Sequence, residues 1–186
     1  MDVKEAIDKR RAYRSLDAVE ITEELVKDLA ASASLAPSCN NFHPWRYVFV
    51  FEKIQLERMH EALPVGNQWA KAASMIVAVL GRKDDDCVIK DREYYLFDTG
   101  MATAFLILRA TELGLVAHPI AGYSPETVRE VLGIPDDYNV ITLVNVGKHS
   151  DKISPILSEK QVLGEKQRPP RKSFEEFAHF NRYSGK

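Results

Sequence analysis

The chain of 186 residues has few cysteines, little net charge and no long apolar run. Its two cysteines, Cys39 and Cys87, form no CxxC pair and no disulfide framework, which predicts a reducing cytosol. The net charge of −2 gives no reason to expect general nucleic-acid binding. The most apolar stretch, residues 74–80, is too short to cross a bilayer, and the charged N-terminus is not typical of a signal peptide. These features predict a cytoplasmic globular protein with no nucleic-acid or membrane partner.

Catalytic sequence motifs are equally scarce. The chain contains no HExxH zinc motif, no GxSxG nucleophile motif and no carboxylate pair that would indicate general acid–base catalysis. Its five histidines have no metal-ligand spacing, so no metal site is predicted. The GxGxxG sequence of a dinucleotide-binding domain is also missing, so a nicotinamide cofactor would have no domain of its own.

The residues that are present predict one soluble domain over 1–186. Hydrophobic residues make up 45% of the chain and charged residues 28%, which is enough for a substantial core. The acidic stretch 84–87 is expected in a solvated loop, and residues 148–186 have too little core pattern to pack except on a surface, such as that of a partner subunit. The predicted helices span 2–11, 22–35, 54–63, 91–113, 124–133 and 173–179, and the predicted strands span 46–51, 74–80 and 140–147.

The ten residues 36–45, APSCNNFHPW, form the most informative segment. They connect a predicted helix to a predicted strand, and a proline stands near each end of the connection. The amides between the prolines could bind a planar heterocycle, because a carboxamide both donates and accepts hydrogen bonds. Asx-turn stabilisation of the loop explains the same residues, so both interpretations stay open, and a Cys–His nucleophile pair is a weaker third one. The polar or polarisable residues are Ser38, Cys39, Asn40, Asn41 and His43.

Positive charge collects near both ends of the chain. Arg10, Arg11 and Arg14 are predicted to close the first helix, where Arg10 and Arg14 would leave the same helix face. Arg168 and Arg171 belong to the segment KQRPPRK. Such arginines suit bidentate binding of phosphate, although either cluster alone also fits cations at a helix C-terminus or a basic surface tail. Two clusters together with the amide-rich loop indicate a phosphorylated, planar ligand.

A third segment, LGLVAHPIAGY at 113–123, contains small residues after a short extended stretch. Gly114 permits a turn, and the chain then reaches Pro119. Ala121 and Gly122 would let the backbone approach a ligand closely and offer it N–H donors. As structure alone, the segment is an ordinary helix–strand–turn connection.

Five segments resemble the nitroreductase family in order and spacing, from about residue 4 to residue 182. The resemblance implies an α+β fold with a mixed, mostly antiparallel sheet flanked by helices. It also implies FMN as the cofactor and a homodimer with flavin at the subunit interface, whose C-terminal tail (148–186) wraps the partner subunit. The segments are RRAYR (10–14), PSCNNFHPW (37–45), DTGMATAFLILRATELGL (98–115), PIAGY (119–123) and RPPRKSFEEFAHFN (168–181).

The resemblance also assigns roles to the basic residues. In the family's RRSxR segment, the first arginines bind the FMN phosphate and the last basic residue faces the pyrimidine end of the flavin. Arg10 and Arg11 therefore correspond to phosphate ligands, and Arg14 to the residue near the ring. The usual serine is replaced by Ala12, so one hydroxyl contact is lost.

The remaining segments complete the implied site. The PSxxNxQPW pattern places Asn41 on the flavin edge, and His43 replaces the usual glutamine. The PIxGY pattern places backbone N–H groups beside the hydride-accepting nitrogen, with Ala121 in place of a frequent glutamate. The late basic segment returns to the phosphate. The implied cofactor-binding residues are Arg10, Arg11, Ala12, Arg14, Ser38, Cys39, Asn41, Pro119, Ile120, Ala121, Gly122, Arg168 and Arg171.

The implied function is an FMN-dependent oxidoreductase that passes hydride from NADH or NADPH to a small electron-poor acceptor, of nitroaromatic or quinone type. No catalytic side chain is expected, because the cofactor carries the chemistry while the protein supplies orientation and charge. A cation such as Arg14 near the pyrimidine side would stabilise the anionic reduced flavin. Two alternatives stay open: a flavin-fragmenting or dehalogenating relative, and a non-catalytic FMN reservoir or redox sensor.

Overall fold

An antiparallel sheet forms the centre of the molecule in the computed structural model, which describes residues 1–185. The strand order is β1-β7-β3-β2, and β6 also pairs with β7. Every pairing in the described part of the chain is antiparallel, so the predicted α+β class with a mostly antiparallel sheet is confirmed. The strands are β1 (Leu16–Asp17), β2 (Trp45–Val50), β3 (Met75–Gly81), β4 (Val88–Ile89), β5 (Arg92–Glu93), β6 (Val116–Ile120) and β7 (Asn139–His149).

Strand β3 is buried on both faces of the sheet along its whole length. This burial explains why its sequence is apolar without alternation, since a strand covered on both sides has no polar face. Ile76 and Leu80 pack in one core cluster, whereas Met75 and Val79 pack in the cluster on the other face. The two cores therefore share β3 as their common wall.

The helices cover both faces of this sheet. Helices α2 and α4 contribute to one core cluster, and α3 and α5 contribute to the other. Local sequence determines several helix ends: the Thr22 hydroxyl accepts from the Leu25 N–H at 3.2 Å, and Ser124 does the same for Thr127 at 3.2 Å. The helices are α1 (Val3–Lys9), α2 (Glu23–Ser34), α3 (Lys53–Met59), α4 (Tyr95–Glu112), α5 (Pro125–Leu132), α6 (Glu159–Lys166) and α7 (Phe174–Phe177).

Two predicted helix bounds are wrong. Helix α1 ends at Lys9, so Arg10 and Arg14 do not share a helix face; they lie in the extended segment that leads to β1. Helix α4 begins at Tyr95, and the residues before it form the β4–β5 hairpin. After α1, the backbone of Arg14 and Ser15 is held by the distant Glu165, whereas the residues before α4 are held by the local pairing of β4 with β5.

The predicted solvated loop at 84–87 is also partly wrong. Asp86 and Cys87 are 8% and 9% exposed, although the neighbouring Asp84 is exposed. The acidic residues of this stretch predict that all four positions are exposed, but the fold buries Asp86 and Cys87.

The C-terminal segment extends beyond β7 with a helix that the sequence pattern did not predict, α6. Further on, four aromatic side chains are 45–79% exposed, which is unusual for residues of this size. The predicted wrapping of this tail around a partner subunit stays a prediction. No helix in the described chain has the length and apolarity needed to span a membrane. The exposed aromatic residues are Phe174, Phe177, Phe180 and Tyr183.

A left-handed glycine ends α5 and gives a direct stability prediction. Gly133 has φ of +65°, and its N–H donates to the Arg129 carbonyl. We expect Gly133→Ala to lower the free energy of unfolding by about 1 kcal/mol in urea denaturation, because a Cβ disfavours this backbone region. Gly66→Ala is the control: Gly66 has no positive φ and nothing within 4 Å of the added carbon, so little change is expected. Equal losses in the two variants would contradict the explanation.

Candidate functional site

Five arginines from the two ends of the chain line one cleft of about 130 Å³. The extended segment after α1 supplies three of them and the segment after α6 supplies two. Arg10 and Arg14 do not share the predicted helix face, but the fold brings the two arginine clusters together, as the family resemblance implies. The lining residues are Arg10, Arg11, Ala12, Arg14, Gly164, Arg168, Pro169 and Arg171.

The guanidinium groups in this cleft differ in how they are held. Arg11 donates to the Gly164 carbonyl at 2.8 Å, and Arg168 donates to the carbonyls of Asp8 and Arg10. Arg171 makes only a 3.5 Å contact with a neighbouring carbonyl, and no hydrogen bond from the Arg10 side chain is recorded within residues 1–185. The Arg14 guanidinium also makes no hydrogen bond in the described chain, but it lies 5.8 Å from the Trp69 ring centroid, so Arg10 and Arg171 are the cations best placed to bind an anion.

The cleft carries uncompensated positive charge. Within residues 1–185, none of its five guanidinium groups lies within 4.0 Å of a carboxylate oxygen, although nine other ion pairs are present. Burial lowers the pKa of Arg10, and the charges of Arg168, Arg171 and Arg11 lower it further. A bound anion would relieve this repulsion.

Glu165, which the sequence reasoning missed, positions the arginine segment. Its carboxylate accepts the Arg14 N–H at 2.8 Å and the Ser15 N–H at 3.1 Å, and the residue is 7% exposed. Charge-assisted bonds of this kind to backbone N–H groups fix the path of the chain. The carboxylate therefore orders the backbone of the arginine segment, and it makes no ion pair within 4.0 Å in residues 1–185.

Trp69 joins Arg14 to the third candidate segment. The Arg14 guanidinium lies 5.8 Å from the Trp69 ring centroid, and the ring stacks on His118 at 4.6 Å. The indole N–H donates to the Asn67 side chain at 3.2 Å. Trp69 itself is 3% exposed, and the Arg14 guanidinium lies over the face of its ring.

The segment after β6 is shaped by Asn67. The Asn67 amide donates to the Gly122 carbonyl at 2.7 Å, and a Cβ on Gly122 would lie 2.7 Å from that amide nitrogen. A side chain at this position would displace the Asn67 amide and disturb its hydrogen bond. Pro119, Ala121 and Gly122 are exposed, Ile120 is buried, and the Ala121 and Gly122 N–H groups make no recorded hydrogen bond within residues 1–185. Two backbone donors therefore remain available next to Arg14 and Trp69.

The amide-rich loop is held largely by its own side chains. The Ser38 hydroxyl accepts the His43 N–H at 3.0 Å, and the Asn41 side-chain oxygen lies 2.9 Å from His43 Nε2. Asn40, Asn41 and His43 all have positive φ, between 48° and 60°. Residues other than glycine rarely adopt this backbone region, and Asn and Asp are among those that adopt it most often. Asn41 is nevertheless exposed, so its amide can also reach a ligand.

The prediction that the cysteines are unpaired is wrong. Cys39 and Cys87 form a disulfide, with 6.0 Å between their Cα atoms. They are 48 positions apart, but the antiparallel pairing of β2 and β3 places Trp45, at the start of β2, opposite Gly81, at the end of β3. The segments just outside these residues therefore meet at one end of the sheet. A Cys–His nucleophile pair is excluded in this form, since Cys39 has no free thiol.

The arginine cleft and the amide-rich loop lie at opposite ends of the sheet. The Tyr13 ring stacks on His149 at the end of β7, with 3.6 Å between ring centroids, whereas Trp45 and Gly81 align with Asn139 at its start. Ten residue steps of a strand span roughly 30 Å. The fold therefore brings the two arginine clusters and residues 119–122 together, but it leaves Ser38, Cys39 and Asn41 apart from them within one chain.

Comparison with known proteins identifies the family. Residues 7–148 match the model of the nitroreductase family, so the chain belongs to this family, as the sequence predicted. It is 29% identical over 147 residues to a protein of Archaeoglobus fulgidus provisionally named NADH dehydrogenase/NAD(P)H nitroreductase, a match that covers 77% of this chain and 83% of that one.

Solved structures agree on the fold. A structure described as an oxidoreductase containing FMN superposes with a TM-score of 0.83 at 29% identity, covering all of this chain and 95% of the other. A nitroreductase family protein of Clostridium difficile has a TM-score of 0.78 at 22% identity and covers 98% of this chain and all of the other. The predicted family and fold are thus confirmed, and the predicted oxidoreductase class agrees with both.

Proposed function

We propose that this chain is an FMN-dependent oxidoreductase, acting as a single domain in a cytoplasmic homodimer. It takes hydride from NADH or NADPH and delivers it to a small planar electron-poor acceptor, of nitroaromatic or quinone type. The observation that carries the proposal is the cleft in which five arginines meet without a carboxylate partner. The relative described as containing FMN, at 29% identity, supports the choice of flavin.

The residues of the arginine cleft fit the phosphate end of FMN. Arg10 and Arg171 have the guanidinium groups least committed to protein partners, so they would bind the phosphate. Arg11 and Arg168 would contribute charge while keeping their bonds to backbone carbonyls. Ala12 offers no hydroxyl, so the cleft depends on guanidinium donors alone at that position.

The ring would lie where Arg14 and the segment 119–122 meet. FMN supplies the hydride chemistry when bound, and the chain supplies position and charge. Ala121 and Gly122 would donate their free N–H groups to the ring edge, and the Asn67–Gly122 bond holds these donors in place. The Arg14 cation, fixed over Trp69, would stabilise negative charge on the ring.

The separation between the cleft and the amide-rich loop argues for a site built from two subunits. An FMN held by the arginines of one chain would meet Ser38 and Asn41 of the other. Exposed apolar side chains on α4 support such an interface, since Leu96, Phe97 and Phe105 are 41–63% exposed. The exposed aromatic residues of the tail are suited to cover the same partner.

A mixed-dimer experiment tests this arrangement. Arg10→Ala/Arg171→Ala and Ser38→Ala/Asn41→Ala should each lose bound FMN as homodimers. Co-expression of the two variants with different tags should give a mixed dimer with one intact site, and hence about half of the wild-type FMN content by absorbance. A mixed dimer without FMN would contradict a shared site.

The flavin absorbance of the wild-type protein tests the activity. Anaerobic NADH or NADPH should bleach the flavin band of the wild-type protein, and a nitroaromatic or quinone should restore it. Bound FMN that neither nucleotide reduces would instead support the alternative of a flavin reservoir or sensor. For the mixed-dimer experiment, the matched control is a dimer of a single variant that carries both tags, because it contains no intact site.

A further inference from the structure

The Cys39–Cys87 disulfide has one accessible and one buried sulfur-bearing residue. Cys39 is partly exposed in the amide-rich loop, whereas Cys87 is 9% exposed below the β4–β5 hairpin. Thiol–disulfide exchange begins with attack on a reachable sulfur and expels the other as a thiolate. An incoming thiolate would therefore attack Cys39 Sγ, and the Cys87 sulfur would be the leaving group.

A buried carboxyl group lies next to this leaving group. One Asp86 carboxylate oxygen and the two Sγ atoms all lie within 4.8 Å of one another. Asp86 Oδ1 accepts the Cys87 N–H at 2.7 Å, and Oδ2 is buried without a hydrogen-bond partner in the described chain. Burial raises the pKa of Asp86, and the Asp98 carboxylate raises it further. Asp86 therefore places a buried, unpartnered carboxyl oxygen beside the disulfide, and burial favours its protonated form.

We propose that Cys39–Cys87 is a redox-active disulfide that a dithiol reductant opens, with Asp86 as the proton donor to Cys87. The dithiol's thiolate attacks Cys39 Sγ, the S–S bond breaks, and the Cys87 thiolate takes the proton of Asp86. The second thiol of the reductant then attacks its own sulfur in the mixed disulfide and releases Cys39. The reductant leaves as a cyclic disulfide, both cysteines become thiols, and Asp86 regains a proton from solvent.

Opening the disulfide would free two segments from each other. Cys39 belongs to the loop whose backbone has three residues with positive φ, and its N–H donates to the buried Asp98 carboxylate at 2.7 Å. Cys87 begins the segment that leads into the β4–β5 hairpin, which ends at an exposed Lys83–Glu93 ion pair. With the S–S bond gone, the loop and the hairpin move independently. A further consequence rests on the proposed function, in which Ser38 and Asn41 bind the cofactor. In that case, reduction of the disulfide also weakens cofactor binding.

Thiol counting on the full-length protein tests the site without any cofactor. Protein oxidised with glutathione disulfide should contain no free thiol, and dithiothreitol under native conditions should expose two thiols per chain. Asp86→Asn should slow this opening at least tenfold, within the range of general acid catalysis. Asp84→Asn, the same substitution at an exposed neighbour, should open at the wild-type rate. Equal rates in the two variants would overturn the role of Asp86.

Two further measurements on the wild-type protein test the proposal even if the Asp86→Asn variant does not fold. If the wild-type disulfide opens in dithiothreitol only after urea unfolds the chain, the bond is structural and the proposal fails. Hydrogen exchange should rise in residues 36–44 and 88–93 of the reduced wild-type protein and remain unchanged in α5. Unchanged exchange in both segments would overturn their coupling through the disulfide. None of these outcomes depends on FMN, so they are distinct from failure of the proposed activity.

Discussion

Replacing both Arg10 and Arg171 with alanine should weaken FMN binding by roughly 100- to 10,000-fold, with no loss of apo-protein stability. Each removes a charge-assisted contact worth about 1.5–3 kcal/mol, and each 1.4 kcal/mol is a factor of ten in the dissociation constant. The fold should tolerate both changes, because these side chains hold no other part of the chain strongly. Loss of Arg10 should also relieve its repulsion with Arg168, Arg171 and Arg11, which adds to burial in lowering the Arg10 pKa.

Fluorescence titration of FMN at fixed ionic strength, with urea denaturation of the apo-protein, measures both effects. Lys53→Ala/Arg58→Ala is the matched control, since it removes two positive charges from α3, outside the arginine cleft. It should leave both quantities close to wild type. A double-arginine variant that binds FMN within threefold of wild type would show that the cleft is not the phosphate site.

The second large effect concerns pH and His118. Burial lowers the pKa of His118 to about 4, from an ordinary value of 6.5. Its Nδ1 lies 3.0 Å from the Tyr13 carbonyl, which fits a neutral ring that donates from this nitrogen. The unfolded chain therefore binds a proton that the folded chain refuses between pH 6.5 and 4. The stability from this group is complete above pH 6.5 and falls by about 3 kcal/mol as the pH drops to 4.

Urea denaturation of wild type and His118→Gln at pH 7, 5.5 and 4 isolates this effect. The variant loses the stacking with Trp69 and starts less stable, but the difference between the two proteins should shrink by about 3 kcal/mol towards pH 4. Other groups, such as His60 with its pKa also lowered by burial, affect both proteins equally and cancel in the difference. A difference that stays constant with pH would show that His118 does not titrate as described.

Local signals in the sequence predicted most of the regular elements. Thr22 and Ser124 are cap residues that bond a nearby N–H, and Gly133 supplies the positive φ that ends α5. These interactions span only a few residues, so the sequence contains all the information needed to infer them. The buried strand at 75–81 was equally clear, because its apolar residues follow one another without alternation, as is typical of a strand buried on both faces of a sheet.

The errors occurred where distant segments control the backbone. Arg10 to Arg14 continue a helical pattern, but the segment is extended, and Glu165, about 150 residues later, accepts the backbone N–H groups of Arg14 and Ser15. Cys39 and Cys87 are unrelated in sequence, and only the pairing of β2 with β3 brings them together. No periodicity or local propensity contains such information, since it depends on strand order and register.

The candidate site divides in the same way. The family resemblance rests on side-chain chemistry that the sequence displays directly: arginines for phosphate, amides for a heterocycle, and small residues where a backbone must approach a ligand. The family, and through it the α+β class, could therefore be inferred from the residues alone. The contacts of Trp69 with Arg14 and of Asn67 with Gly122 depend on the packing of distant segments and could not be inferred in this way. The arginine cleft and the amide-rich loop lie at opposite ends of β7, so the length of this strand separates them. The sequence does not reveal this separation, because both groups are polar and lie near the surface.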